Sequence, residues 1–155
     1  MKALVVFDSY FGNTEKIARA IGTGLGLSDA DVIKVGEVQA GQITGLDLLI
    51  VGSPTRAFQA SDGTKAFLKN LSSGSLKGVK VATFDTRVVI NDKTPGILKV
   101  LVKIFGYAAE PVARKLVRKG GTQVLDPAGF LVLDSEGPLK EGELQRASEW
   151  VKPLK

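Results

Sequence analysis

Ala3-Leu4-Val5-Val6-Phe7-Asp8-Ser9-Tyr10-Phe11-Gly12-Asn13-Thr14-Glu15-Lys16-Ile17-Ala18 changes character twice within a short span. Residues 3–8 begin as a continuous apolar, β-branched run, the pattern of a strand covered on both faces. Ile17, Ala18, Ile21 and Leu25 then recur at helical spacing. The linker between them carries Gly12 for a tight turn, hydroxyls at Ser9 and Thr14, and the free amides of a helix start. Such a turn can hold a phosphate without a lysine, through hydrogen bonds and the positive end of the helix dipole. Read alone, it is equally an ordinary strand-to-helix turn capped by Asn13 or Thr14.

The same alternation runs outward from this unit. Residues 47–52 and 79–85 are further short apolar runs, and residues 31–35 form a weaker one. Ala66, Phe67 and Leu71 mark a helix after the third run, while the stretch through Gly41 and Gly45 supports no full helix. Residues 122–125 and 129–134 read as one strand interrupted around Pro127, and 141–152 as a closing helix with Leu144, Ala147 and Val151 toward the sheet. Trp150 is expected to pack on that helix. Strand and helix in alternation, with right-handed crossovers, predict an α/β three-layer sandwich: a doubly wound, five-stranded parallel sheet of order 2-1-3-4-5, in a single domain over residues 1–155. Ligands of such sheets bind beyond the carboxyl ends of the strands at the switch point, here after Asp8, Gly52 and Asp85.

Composition narrows the chemistry. The 155 residues include no cysteine and no histidine, which removes disulfides, thiol nucleophiles, Ser-His-Asp triads and the usual zinc sites. The first apolar run is too short for a signal segment or a membrane span, so a cytoplasmic protein without a transmembrane segment is expected. The net charge of +5 is concentrated between Asp85 and Gly120, where eight basic residues face three acids. This region either presents solvated helix faces or attracts an acidic partner. No aromatic-interleaved basic stripe supports nucleic-acid binding.

Two phosphate-binding rivals fail on their own residues. Gly12-Asn13-Thr14 lacks the lysine of a Walker A loop, and Gly22-Thr23-Gly24-Leu25-Gly26 ends a helix instead of following a strand. A phosphoryl-accepting receiver would want an aspartate at the end of the third strand, where Val51-Gly52-Ser53 stands.

Ser9-Tyr10-Phe11-Gly12-Asn13-Thr14-Glu15-Lys16-Ile17-Ala18 resembles the phosphate loop of the flavodoxin family, above all the flavodoxin domains of flavo-diiron proteins and related quinone reductases. Gly52-Ser53-Pro54-Thr55-Arg56 is similar to the second flavin loop of that group, and Gly129-Phe130 through Glu136-Gly137-Pro138-Leu139 to its last strand and turn. The resemblance implies flavin mononucleotide (FMN). It would put the ribityl phosphate on Ser9, Gly12, Asn13 and Thr14, with Tyr10 and Phe11 packing the loop. Pro54, Thr55, Arg56, Ala57 and Phe58 would border the isoalloxazine ring, with Phe58 stacking on the flavin or packing within its loop, and Asp85, Thr86 and Arg87 would close the pyrimidine side. The implied role is electron shuttling between redox partner proteins, with the chemistry belonging to the flavin and no catalytic acid or base in the chain.

Two rivals stay open: an FMN-dependent reductase of quinones or small electrophiles, and a flavodoxin-fold binding module without cofactor. The chain departs from the family pattern in its basic charge, in the absence of glycine between Thr55 and Ser61, and in residues 95–107. Arg56 and Arg87 near a flavin would favour its anionic reduced form and raise the corresponding potential. In the 95–107 insertion, Ile97, Leu98, Val100, Leu101, Val102, Ile104 and Phe105 make a helix apolar nearly all round, broken by Lys99 and Lys103. It is expected to be buried within the domain or in a homodimer, the alternatives being a flavin lid or a basic docking helix.

Overall fold

The computed structural model describes residues 1–155. Strand β1 (Ala3–Phe7) leads into helix α1 (Asn13–Leu25), and β2 (Val32–Lys34) into the single-turn α2 (Ala40–Ile43). Then follow β3 (Leu48–Pro54), α3 (Asp62–Asn70), β4 (Lys80–Val88), α4 (Gly96–Phe105) and α5 (Ala109–Arg118). Two short strands, β5 (Thr122–Gln123) and β6 (Ala128–Val132), precede α6 (Glu143–Trp150). All strand pairs are parallel, in the order β2-β1-β3-β4-β5, with β6 also on β4. This is the flavodoxin-like arrangement the alternating pattern predicts.

The fifth strand is therefore two pieces on one edge of β4. β5 pairs with Lys80 and Val81, and β6 with Phe84 through Val88. Pro127 lies between them and has no amide to contribute to a ladder, which accounts for the interruption.

Every residue of β1 is buried, and alternate side chains feed opposite layers. Val5 and Phe7 pack with Ile17, Ile21, Phe84, Phe130, Ala147 and Val151 on the α1/α6 face. Leu4 and Val6 pack with Leu49, Leu68, Leu76, Val112 and Leu116 on the α3/α5 face. Ile17 and Ile21 are fully buried, each stabilising the fold by about 1.5–3 kcal/mol. Gly52 admits the Phe84 ring, whose Cζ lies 2.0 Å from where a Cβ would stand.

Two expectations need correction. Leu144 is exposed, because the inward stripe of α6 is Glu143, Ala147 and then Val151, one residue out of phase. Glu143 turns inward since its carboxylate accepts from the Leu131 amide (2.7 Å) and from Arg146. Second, α4 is not buried within the domain, which leaves the homodimer half of that expectation: none of its ten residues is buried, and Ile97, Val100, Ile104 and Phe105 are over half exposed. No helix is long and apolar enough to cross a membrane.

Candidate functional site

A crevice of about 400 Å³ opens at the carboxyl ends of β1, β3 and β4, within the size range of small-ligand sites. Its walls are Ser9, Tyr10, Phe11, Asn13 and Thr14 from the first loop, Pro54 through Ala57 from the second, and Thr86, Arg87 and Val88 from β4. Val132, Ser135 and Glu136 complete it.

Gly12 stands at the N-cap of α1 with φ 90°, a left-handed conformation costly for any residue bearing a Cβ. No side chain caps the helix, and the amides of Tyr10, Phe11, Asn13, Thr14 and Glu15 have no acceptor in the chain. Asn13 and Thr14 are themselves buried. Free amides converging at a helix start suit an anion. The Ser9 hydroxyl accepts from the Gly12 amide (2.9 Å), leaving its own proton free to donate. Thr14 Oγ1 and Thr86 Oγ1 share a hydrogen bond of 2.7 Å at the crevice floor. No lysine lines the crevice, and the polar groups it offers at this end are amides and hydroxyls.

The second loop makes a tight hairpin: Arg56 and Gln59 exchange both backbone hydrogen bonds (2.9 and 3.0 Å). The central residues Ala57 (φ 50°) and Phe58 (φ 65°) are both left-handed, a conformation usually left to glycine or asparagine. The Arg56 guanidinium lies 5.0 Å from the centre of the Tyr10 ring across the crevice mouth. Phe58 is not a crevice residue. Its ring packs against Phe105 of α4, 5.8 Å between centroids, and borders a neighbouring groove of about 660 Å³.

Asp85 also stands apart from the crevice wall. Strand alternation puts it opposite Phe84 and Thr86, toward α5, where it is fully buried. Its carboxylate takes two hydrogen bonds from Arg87 (2.6 and 2.7 Å) and one from the Ala109 amide (2.9 Å). Burial pushes the carboxyl above its ordinary 3.8, against the pull of Arg87 and the Ala109 amide. The ion pair fixes Arg87, whose guanidinium lies 3.6 Å over the Tyr107 ring; the residue also lines the crevice from β4. Gly129 makes room for it, since a Cβ there would stand 2.1 Å from the Arg87 Cζ. The Thr55 hydroxyl oxygen accepts from the Ala108 amide (3.0 Å).

Val88, Val132, Ser135 and Glu136 were not anticipated as site residues. The last two arrive through the turn after β6, held by a hydrogen bond from Asn13 Nδ2 to the Glu136 carbonyl (3.1 Å). The sequence signal was the Glu136-Gly137-Pro138-Leu139 turn, which marks the loop without showing that it folds back over the first helix.

A doubly wound parallel sheet of this strand order, with an uncapped helix start at its switch point, defines an α/β protein of flavodoxin-like fold. The chain belongs to the flavodoxin family: the model described as "Flavodoxin domain" matches residues 4–104. Members of this family generally bind FMN and transfer electrons. Among solved structures, the chain is similar to a flavodoxin from the domain Archaea, at 23% identity and TM-score 0.75 over 99% of this chain and 96% of that one. It is similar also to a flavodoxin, WrbA-like protein from Agrobacterium tumefaciens (18%, 0.73, 98% and 93%) and to oxidised flavodoxin 1 from Bacillus cereus (19%, 0.69, 96% and 93%). No curated protein matches the chain.

Proposed function

We propose that this chain, acting as one flavodoxin-like domain in the cytoplasm, binds FMN in the crevice and carries electrons between redox proteins. The observation that carries the reading is the set of acceptor-free amides at Tyr10, Phe11, Asn13, Thr14 and Glu15 beside the Ser9, Thr14 and Thr86 hydroxyls. These groups suit the ribityl phosphate, each charge-assisted hydrogen bond contributing about 1.5–3 kcal/mol. Pro54 through Ala57 on one side and Thr86 through Val88 on the other would flank the ring. When bound, the flavin supplies the electron and proton chemistry. The chain's own part is to orient it and to exclude water with Tyr10 and Arg56. Titrating FMN with the purified protein tests this: saturable quenching of flavin fluorescence is expected, and its absence would refute the reading.

A second reading, reduction of quinones or other small electrophiles, draws on the groove beside the crevice, which shares Thr55, Ala57, Arg87 and Val88 with it. Steady-state turnover with NAD(P)H and a quinone separates an enzyme from a carrier.

A further inference from the structure

Between α3 and α5 runs a groove of about 380 Å³ lined by Lys65, Leu68, Lys69, Lys115, Arg118 and Lys119, five cations around one leucine. None of the five pairs with a carboxylate. Lys65 is tied to the Gln59 side chain, and Lys119 Nζ donates to the Leu71 carbonyl (2.5 Å). Lys69, Lys115 and Arg118 are exposed, with no hydrogen-bond partner in the chain. Five like charges around one groove repel one another, a cost that a complementary surface would remove.

We propose that this groove is the docking site for an acidic face of a partner protein. This deepens the carrier reading and rests on it for the partner's redox role, although the surface itself needs no flavin. Lys69, Lys115 and Arg118 stand in the last turns of their helices, where the backbone carries partial negative charge and offers no amides to a compact phosphate. Cations spread along two helices match carboxylates spread along a polypeptide. Leu68 alone supplies apolar lining, so the groove has no aromatic ring on which a nucleic-acid base would stack. Lys65 and Lys115 also line a smaller cleft with Phe58, Gln59, Pro111 and Val112. The basic surface is thereby continuous with the hairpin that borders the crevice.

The test measures fluorescence anisotropy of a labelled decaglutamate peptide with the full chain at 20 and 200 mM NaCl. Lys69→Gln/Lys115→Gln/Arg118→Gln is compared with the control Lys99→Gln/Lys103→Gln on α4. Binding at low salt that weakens at least tenfold at 200 mM, and at least tenfold in the triple variant but under twofold in the control, is expected. No binding at low salt, equal losses in both variants, or tighter binding of a ten-residue oligothymidylate than of the peptide would overturn the proposal. Circular dichroism of both variants checks that they fold. FMN titration of the same samples keeps the two ideas apart: peptide binding without flavin binding would sink the carrier reading alone, and the reverse would sink the docking site alone.

Discussion

Thr14 and Thr86, 72 positions apart in sequence, join their hydroxyls across 2.7 Å and so tie the first turn of α1 to the end of β4 beneath the crevice. Both residues are buried. Thr86→Val strands the Thr14 hydroxyl, a loss of about 1–3 kcal/mol. The expected result is a lower urea midpoint together with at least tenfold weaker FMN binding, whereas Thr86→Ser restores the partner and stays near wild type in both measurements.

The left-handed Ala57 and Phe58 hold conformations that cost of order 1–3 kcal/mol each. Ala57→Gly relieves the first, so its denaturation midpoint should rise or stay level despite the added freedom of the unfolded chain. Ala57→Pro fixes φ near −65° and should lower the midpoint clearly. Equal midpoints for the two variants would show that the hairpin is not held in this form.

Gly52→Ala forces a methyl into the Phe84 ring, in a strand flanked on both sides by other strands. Overpacking of this kind costs about 1–3 kcal/mol, and more where backbone cannot shift. Chemical denaturation of Gly52→Ala should show that loss, and Gly52→Ala/Phe84→Leu should recover part of it.

Glu143 governs an acid-limb effect. The Arg146 guanidinium, aided by the Leu131 amide, holds its carboxyl below the ordinary 4.5 despite burial. A folded-state value below the unfolded one contributes stability above pH 4.5 that fades as pH falls through the depressed value. Glu143→Gln should therefore be less stable than wild type at pH 7, with the gap in melting temperature closing on the acid side. A gap that stays constant from pH 7 to pH 3 would contradict the assignment.

The layers and strand order were legible because parallel strands buried on both faces read as unbroken apolar runs, and the phosphate loop because glycine, hydroxyls and a helix start coincide. Period-two alternation along β4 puts Asp85 opposite Thr86, on the α5 side of the sheet. Ser135 and Glu136 were missed because their place depends on a turn reaching the Asn13 amide from 123 residues away, which no local pattern encodes. Helix α5 was not singled out, since Glu110, Pro111, Arg114 and Lys115 dilute its buried stripe of Ala109, Val112, Ala113 and Leu116. The basic groove is not encoded in residues 85–120 alone, because Lys65 and Lys69 come from another helix.

Trp150, the chain's one tryptophan, meets Phe84 and Phe130 edge-on at 6.3 and 6.1 Å, and the Arg146 guanidinium lies 4.5 Å over the Phe130 ring. That arrangement equips the molecule with a built-in optical gauge. Indole emission and its near-ultraviolet dichroism register whether the outer helices have closed on the sheet, and energy passed from the indole to a yellow ligand would report occupancy without any label.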